Sequence, residues 1–399
     1  MKKQILFVDD EPNVLAGLRR SLRTQRAEWQ MAFCDGARDA LELIDQTHFD
    51  AVVTDMRMPG MDGGELLNRL AEKHPDTVRI VLSGHSDQET IMRSVGPAHQ
   101  YLNKPCEVDV LKRVLARAFS LRELLGSEKI KSLISGMQSL PSMPALYMEM
   151  MQLLADPNAS VRQVGDLIEQ DPAMTAKTLQ LVNSAFFGLG RHVSSPHDAA
   201  SLLGLDILKS LVLSIGIFSQ YDDIRFPVKG FSIEALWRHC SRVGGLARQM
   251  AEAEGVAKQM AQDCLLAGLL HDIGKLILAV NLPAEYQQML DAVAAEPDQV
   301  DAIEQAAFGT SHGAVGAYLL GLWGLPESVV EAVAFHNHPG QQREVVFGVL
   351  SLVHVASGLV NQASQVKSLA NAIDLEYLTA VDKEERLESW ATLLDEIDP

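Results

Sequence analysis

The sequence contains only four cysteines, and no Cys-x-x-Cys pair is among them. Scattered cysteines of this kind indicate reduced thiols in a cytosolic protein. The sequence also lacks a secretory signal: the apolar run in residues 1–12, MKKQILFVDDEP, is shorter than the roughly 7–15 residues that a signal needs. The longest later apolar stretch, residues 345–360, is shorter than the ~20 residues of a transmembrane helix. We therefore expect a cytoplasmic protein that makes no contact with a membrane.

Positive charge is scarce in the larger part of the chain. Residues 1–125 carry 17 Lys and Arg against 19 Asp and Glu, whereas the remainder carries 17 against 33. A surface this acidic repels phosphate backbones, so we expect no nucleic-acid binding by the larger part. At 399 residues the chain is also long for a single core, and two or three domains are expected.

Short apolar runs alternate with amphipathic segments in the first 125 residues. This alternation predicts an α/β fold with a doubly wound, five-stranded parallel sheet. The predicted strands are residues 4–10, 29–35, 49–55, 79–84 and 100–105, and the predicted helices are 12–25, 37–46, 63–73 and 87–95.

The predicted strands end in residues that carry chemistry, namely Asp9, Asp10, Asp55, Ser83 and Lys104. In a doubly wound sheet, ligands gather at the carboxyl ends of the strands. Three carboxylates at one edge repel one another unless a hard cation joins them, and Mg²⁺ prefers such oxygen ligands. A carboxylate can also attack a phosphoryl group, with Mg²⁺ and a lysine neutralising the charge. Simple capping of strand-to-helix turns explains any one Asp, but not this combination.

Residues 1–122 resemble a response-regulator receiver domain. The resemblance is carried by VDDEP at 8–12, DMRMPGMDG at 55–63, LSG at 82–84 and YLNKP at 101–105. It implies phosphorylation by a cognate histidine kinase, with Mg²⁺ as the cofactor. The implied roles are Asp55 as phosphoacceptor, Asp9, Asp10, Asp55 and the Arg57 carbonyl as Mg²⁺ ligands, Ser83 and Lys104 as phosphoryl contacts, and Tyr101 as the switch partner of Ser83.

A helical pattern continues from residue 107 to 125 and towards a linker at 123–135. Its apolar stripe has the heptad-like spacing Leu111, Val114, Ala118, Leu121 and Leu125. Two heptads are fewer than a convincing coiled coil needs. The stripe either packs on the receiver's own sheet or forms a helical connector that transmits dimerisation or rotation, which leaves a homodimer open.

Residues 136–360 show helix-length amphipathic segments and almost no strand-like alternation, which predicts an all-α domain. Asp171 and Pro172 are the expected N-cap and first residue of one helix. This part closely resembles the HDOD family, a branch of the HD superfamily. The motifs that carry the resemblance are LPSMPAL, DPAMTAKTLQLVNSAFFG, AASLLGLDILKSLVL, GLLHDIGKLIL and SHGAVGAYLLGLWGLP. For the acidic tail, 361–399, we expect a solvated helical cap.

The resemblance to the HD superfamily implies a mononuclear metal site made of a His, a His-Asp pair and a distant Asp. His239, His271 and Asp272 match the first three positions, and Ser357 stands at the fourth. Segment 345–373 contains no Asp or Glu, and His354 is the alternative ligand one turn before Ser357. The binuclear relatives, which hydrolyse cyclic di-GMP, add further His ligands.

His312 and His336 match two of these additional positions, whereas Asn337 replaces the next and His338 lies one place too late. The degenerate site predicted from these matches comprises His239, His271, Asp272, Lys275, His312 and His336. We expect these residues to form a buried hydrogen-bonded network without a divalent metal. His192 and His197 are expected to be exposed.

Two functions of different class follow from these patterns. The first is a phosphorylation-controlled response regulator that acts by protein–protein interaction, with a cyclic di-GMP pathway enzyme as a partner suggested by analogy. The alternative is a phosphorylation-gated, metal-dependent phosphodiesterase acting on cyclic di-GMP or another nucleotide. The carboxylate missing from 345–373 favours the first, with no catalytic residue assigned.

Overall fold

The structure, a computed structural model, divides into two compact units. The first is built from the N-terminal part of the chain as far as Ser142, and the second from most of the chain after it. The predicted helix at 87–95 and most of the linker at 123–135 lie outside the described residues. The structure describes all residues except 1, 75–76, 84–97, 105, 126–143, 157–158, 184–192, 222–226, 297–298, 343–344, 364–372 and 398–399.

The first unit contains a five-stranded parallel sheet, as predicted. Its strands are β1 Lys3–Val8, β2 Trp29–Cys34, β3 Ala51–Asp55, β4 Val78–Ser83 and β5 Gln100–Asn103. They follow the order β2-β1-β3-β4-β5, with β1 and β3 buried between neighbours. This order brings the ends of β1 and β3 side by side, because those strands are hydrogen-bonded to each other.

Four described helices accompany this sheet: α1 Pro12–Ser21, α2 Ala37–Gln46, α3 Gly63–Lys73 and α4 Val108–Leu124. The predicted helix 12–25 ends earlier, at Ser21, and a 3₁₀ turn follows at Arg23–Ala27. Leu66, Leu67 and Leu70 of α3 are buried in the sheet's core. The amphipathic period of these helices therefore places their apolar face on the sheet.

The buried stripe of α4 differs at one position from the stripe read from the sequence. Leu111, Leu115 and Ala118 are buried, whereas Val114 is only partly buried. The steps of four and three residues around Leu115 still average 3.5 residues, so the spacing stays heptad-like but passes through Leu115 in place of Val114. For this part of the helix, burial favours packing within the protein over a free connector surface.

Helices are the regular secondary structure of the second unit over its described residues, so the predicted all-α class is confirmed. Asp171 caps its helix by accepting a hydrogen bond from Met174 N, and Pro172 is the first helical residue, as expected. The described helices are α5 Ala145–Ala155, α6 Val161–Glu169, α7 Pro172–Val182, α8 Pro196–Leu203, α9 Leu205–Ser219, α10 Ile233–Ala253, α11 Lys258–Leu270, α12 Ile273–Asn281, α13 Pro283–Ala295, α14 Val300–Phe308, α15 His312–Leu322, α16 Glu327–Phe335, α17 Val349–Ala363, α18 Leu375–Ala380 and α19 Leu387–Ile397.

Close backbone contacts bring the central helices of this unit together. A Cβ atom on Gly268 of α11 would collide with the backbone of Gly244 on α10. A Cβ on Gly274 of α12 would collide with the carbonyl oxygen of His312. Only glycine permits these approaches, which place the junction of α11 and α12 against α10 and the start of α15.

The C-terminal segment is more than a solvated cap. Trp390 of α19 is fully buried, and its indole Nε1 donates to Glu254 Oε1 at 3.2 Å. Lys383 and Arg386 also contact the Glu254 carboxylate, at 2.6 and 2.5 Å. The sequence suggested solvation because the tail is acidic, but basic and aromatic side chains fix it to the end of α10.

No single helix among the described residues is both long and apolar enough to cross a membrane. One pair passes the test of length and composition together, Lys258–Asn281 with Pro283–Ala295, but it is bent by 119°.

Candidate functional sites

Three carboxylates meet at the carboxyl edge of the sheet, where the sequence predicted them. Asp9 and Asp10 follow β1, and Asp55 is the last residue of β3. One oxygen of each can be chosen so that all three lie within 4.8 Å of one another. Asp9 and Asp55 are almost fully buried, so their mutual repulsion is poorly screened.

Lys104 supplies the positive charge at this edge. Its Nζ lies 2.8 Å from Asp9 Oδ2 and 2.5 Å from Asp55 Oδ1. Burial raises the pKa of Asp55 above its usual value, although Lys104 opposes the shift. One ammonium balances one of three carboxylates, and the remaining oxygens fit a hard divalent cation such as Mg²⁺.

For Ser83, Tyr101 and Arg57, the other predicted receiver residues, the structure describes backbone position more than side-chain contacts. Ser83 ends β4 and pairs in register with Asn103, while Tyr101 pairs with Val81. The side chains of Ser83 and Tyr101 lie outside the described part of the structure. Arg57 is exposed in the loop after β3, two residues beyond Asp55.

A second polar cluster lies in the middle of the helical unit. His239 belongs to α10, and the His271–Asp272 pair occupies the break between α11 and α12. His312 begins α15, and His336 follows the last residue of α16. Four separate parts of the chain therefore contribute to one buried group of side chains.

Asp272 is the centre of this cluster, and its two oxygens face different partners. Oδ2 lies 3.5 Å from His239 Nε2, 3.4 Å from His271 Nε2 and 2.8 Å from Lys275 Nζ. Oδ1 lies 3.2 Å from His312 Nε2 and 3.6 Å from His336 Nε2. We call His239, His271 and Asp272 the first triad, and Asp272, His312 and His336 the second triad.

The rings of His271 and His336 are oriented by hydrogen bonds from Nδ1, the nitrogen on the side away from Asp272. Nδ1 of His271 is 2.7 Å from Gly268 O, and Nδ1 of His336 is 2.9 Å from Val333 O, so each Nδ1 carries the proton and donates it. In the neutral ring, Nε2 then carries a lone pair directed at Asp272. Burial lowers the pKa of both His271 and His336, which favours these neutral rings.

Glu304 completes the cluster, although no motif in the sequence indicated it. It lies on α14, is buried, and its two oxygens are 2.8 and 3.0 Å from His312 Nδ1. Burial would lower the pKa of His312, but Glu304 and Asp272 raise it to about 9. An acid eight residues before a histidine matches no motif, and only the packing of α14 reveals the pair.

Contacts in the structure show how the residues at or near the expected ligand positions are used. His354 cannot replace the missing carboxylate, because its Nδ1 donates to His336 O and its Nε2 accepts from Asp374 N. Ser357 is buried and its hydroxyl accepts from Asn361 at 3.3 Å. Asn337 Nδ2 lies 3.3 Å from His312 Nε2, whereas His338 pairs with Asp301 away from the cluster.

Both triads fit a metal ion in the arrangement of their donors. All chosen ligand atoms within each triad lie within 4.8 Å of one another. Asp272 Oδ1 is buried and forms no well-aligned hydrogen bond with any described residue, which is costly for a carboxylate oxygen. Two imidazole nitrogens and a carboxylate oxygen are ligands typical of Zn²⁺ and other divalent transition metals.

Comparison with known families matches both parts of the chain. Residues 140–339 match the HDOD domain family. Residues 5–116 match the response regulator receiver domain family. The resemblance inferred from the sequence motifs is thereby confirmed for both parts.

Individual relatives each cover part of the chain. An uncharacterised protein of Treponema pallidum is 26% identical over 229 residues, which are 57% of this chain and 43% of that protein. The C4-dicarboxylate transport transcriptional regulatory protein DctD of Pseudomonas aeruginosa is 35% identical over 123 residues, 31% of this chain and 26% of that protein. The chain thus spans less than half the length of either relative.

Two solved structures are similar to this chain in fold. An HDOD domain protein of unknown function from Geobacter sulfurreducens covers 71% of this chain and 99% of its own, with a TM-score of 0.51 and 24% identity. A protein of proposed phosphohydrolase activity from Shewanella amazonensis SB2B covers 67% and 94%, with a TM-score of 0.52 and 20% identity. Identities this low support the fold alone.

Proposed function

We propose that this chain, which belongs to the HDOD family and carries a response-regulator receiver domain, is a phosphorylation-controlled regulator that acts by binding another protein. A receiver domain and an HDOD output domain assign it a signalling role of the response-regulator type. In this proposal the signal enters as phosphorylation of Asp55. It is passed on by binding to another protein and not by hydrolysis of a substrate.

Phosphoryl transfer to Asp55 is supported by the residues gathered at the sheet edge. A histidine kinase is the general partner of a receiver domain and would supply the phosphoryl group. Mg²⁺ held by Asp9, Asp10 and Asp55, with the Arg57 carbonyl as a further ligand, would neutralise charge on the transferring group. Lys104 already contacts Asp55 and would remain against the phosphorylated side chain.

The observation that carries the non-catalytic proposal is the ligand set of the first triad. Helix α17 presents Ser357 where HD hydrolases have a carboxylate, and the whole of α17 lacks Asp and Glu. Lys275 forms an ion pair with Asp272 Oδ2, so the chain's own cation occupies one side of the shared carboxylate. The first triad lacks this carboxylate and faces the Lys275 ammonium, so it would hold and orient a catalytic metal poorly.

A second candidate function is supported by the two triads that share Asp272. Metals bound there would polarise a phosphoryl oxygen and activate a water, as in phosphodiesterases. In that case Lys275 would contact the phosphate of cyclic di-GMP or another nucleotide. In the proposed function, a cyclic di-GMP enzyme is the regulated partner. In the second candidate function, cyclic di-GMP is itself the substrate.

Turnover separates the two functions. Purified protein supplied with Mn²⁺, Fe²⁺ or Zn²⁺ should hydrolyse cyclic di-GMP no faster than the buffer with metal alone, before and after treatment with beryllofluoride and Mg²⁺. Metal-dependent hydrolysis that disappears in Asp272→Ala would establish the phosphodiesterase. The binding role predicts a different positive result. Beryllofluoride should change either the set of captured proteins or the oligomeric state of the wild type, and it should change neither in Asp55→Asn.

A further inference from the structure

We infer that the outer edge of strand β2 binds an extended, acidic polypeptide segment of a partner protein, which adds to the sheet as a further strand. The inference goes beyond the proposed function, because it names a binding surface of the first unit and requires neither phosphorylation of Asp55 nor the helical unit. It rests on three observations, which are the position of β2 in the sheet, the groove along β2 and the cations beside that groove.

Strand β2 is at one end of the strand order, and β1 is its one neighbour among the strands that the structure describes. Lys3 N donates to Glu28 O and Asp9 N donates to Cys34 O, so the even-numbered residues of 28–34 turn their backbone groups towards β1. The direction alternates along a strand, and the N–H and C=O groups of Met31 therefore point outward. Such an outward row of backbone donors and acceptors is a template for pairing with another chain.

A groove along this edge gives an added strand a place to lie. It has a volume of about 570 Å³ and is lined by residues 29–33 of β2 together with Lys2, Arg19 and Arg26. Strand β2 has six residues. At about 3.3 Å per residue it is roughly 20 Å long, so its full edge accommodates an extended segment of about six residues.

The surroundings of the groove are basic in a protein whose net charge is −18. Residues 12–34 contain four arginines, Arg19, Arg20, Arg23 and Arg26, and a single acidic residue, Glu28. All four arginines are exposed, and none of them forms an ion pair with a carboxylate of the described residues. Cations concentrated in this way attract an acidic ligand and repel a basic one.

The aromatic side chains of the groove favour a polypeptide over a nucleic acid. The guanidinium carbon of Arg19 lies 4.7 Å from the centroid of the Phe33 ring, and that ring also stacks with Phe7 at 5.1 Å. Trp29 is buried. Single-stranded nucleic acids are held by stacking of their bases on open aromatic faces, and these rings are already in use. A carboxylate needs only the N–H groups of the guanidinium, which point outward from its plane edge.

Strand geometry also sets the sequence pattern of the ligand. Successive side chains of a strand point to opposite faces, so alternate residues of an added strand would face Arg19, which lies over Phe33. Lys2 Nζ donates to Arg26 O at 2.7 Å, which keeps a second pair of basic residues together in the same groove. The ligand is therefore an extended segment with Asp or Glu at alternate positions and strand-forming residues such as Val between them.

Peptide binding to the full-length protein tests the inference. The probe is a fluorescein-labelled octapeptide of alternating Glu and Val, and the measurement is fluorescence anisotropy. The probe should bind, with an affinity that falls as salt is added, whereas an octapeptide of alternating Lys and Val should not bind. A Glu–Val octapeptide with every internal backbone amide N-methylated keeps its charges but cannot donate strand hydrogen bonds. It should bind at least about tenfold more weakly.

Hydrogen exchange followed by mass spectrometry locates the bound peptide. The amides of residues 29–34 should exchange more slowly when the Glu–Val octapeptide is present, because the outward N–H groups of Met31 and Phe33 become hydrogen-bonded. Protection confined to another part of the chain would overturn the assignment to β2.

Matched double variants test the cations. Arg19→Gln with Arg26→Gln should weaken binding of the Glu–Val octapeptide by about 2–30-fold, the effect of losing two exposed ion pairs. Arg38→Gln with Arg162→Gln changes the net charge equally at exposed arginines outside the groove and should leave binding unchanged. Thermal unfolding identifies any variant that has lost its fold.

Three results would overturn the inference. No binding of the Glu–Val octapeptide would assign the arginines to protection of a strand edge against aggregation. Equal binding of the N-methylated octapeptide would reduce the surface to a general attraction for anions. Tighter binding of a single-stranded oligonucleotide than of the octapeptide would make nucleic acid the ligand. Each of these results leaves the beryllofluoride test of the proposed function unaffected.

Discussion

The Nζ atom of Lys275 lies 2.8 Å from Asp272 Oδ2, while the other oxygen of the same carboxylate faces His312 and His336. Both side chains of this ion pair are nearly excluded from solvent. Burial opposes ionisation of Asp272, but the Lys275 ammonium holds the pKa of its carboxyl well below the usual value. The charge of Asp272 is thus maintained inside the helical unit, with consequences for stability.

Asp272→Ala should destabilise the metal-free helical unit by about 3–5 kcal/mol, because it leaves the Lys275 ammonium buried and unpaired. The measurement is urea unfolding in EDTA, followed by tryptophan fluorescence. The double variant Asp272→Ala with Lys275→Met should recover part of the loss, since both charges are then removed. An Asp272→Ala protein as stable as the wild type would contradict the buried ion pair.

Asp55→Asn should abolish phosphorylation of the receiver. Acetyl phosphate with Mg²⁺ is expected to label the wild type with one acid-labile phosphoryl group, measured by intact-mass spectrometry and its loss in acid. Asp45→Asn is the control, because Asp45 is an exposed carboxylate outside the site that pairs with Lys73. Labelling that persists in Asp55→Asn would assign the phosphoryl group to another residue.

Glu254→Gln should loosen the C-terminal segment. Burial alone would raise the pKa of Glu254, but Lys383 and Arg386 lower it, so the carboxylate stabilises the fold above its unfolded pKa. This contribution is lost as the pH falls through the lowered folded-state pKa. Limited proteolysis at pH 7 should cut the variant near residues 374–397 faster than the wild type, and the difference should shrink in acid. Equal cleavage rates at pH 7 would show that Trp390 alone fixes the segment.

His197 should stabilise the contact between α6 and α8 in a pH-dependent way. Its two ring nitrogens lie 2.9 Å from Asp166 and 3.1 Å from Glu169, which requires a protonated ring to donate at both. The hydrogen bond to Asp166, with help from Glu169, raises the pKa of His197. The stabilisation is therefore complete below the unfolded pKa of about 6.5 and is lost as the pH rises through the higher folded value.

The matching variant is His197→Gln, compared with the wild type by thermal unfolding between pH 5.5 and pH 9. The difference should be about 0.2–1 kcal/mol at the acidic end, the range of exposed ion pairs, and should vanish at the alkaline end. A difference that grows with pH would reverse the assigned charge state. This residue also refines the sequence expectation, since His197 is partly exposed but paired.

The sequence by itself determined the two fold classes and the residues of the receiver edge. The described strands and helices of the first unit lie within a few residues of their predicted bounds, because apolar periodicity and strand-end motifs are local signals. Asp9, Asp10, Asp55 and Lys104 could be named in advance, since carboxyl ends of parallel strands meet at one edge whatever the details of packing. The α4 stripe passes through Leu115 and not through Val114, because alternating steps of three and four residues can begin with either step and both residues are apolar.

Only the tertiary structure decided how the second cluster is divided. The motifs named His239, His271, Asp272 and Lys275, but no spacing in the chain states which carboxylate oxygen each residue faces. That division arises where helices that are not consecutive in the chain approach through glycine contacts, such as Gly274 against the carbonyl of His312. Glu304 could not be predicted from the sequence for the same reason. Its buried pair with His312, between α14 and the start of α15, is set by packing, and packing depends on every side chain between the helices.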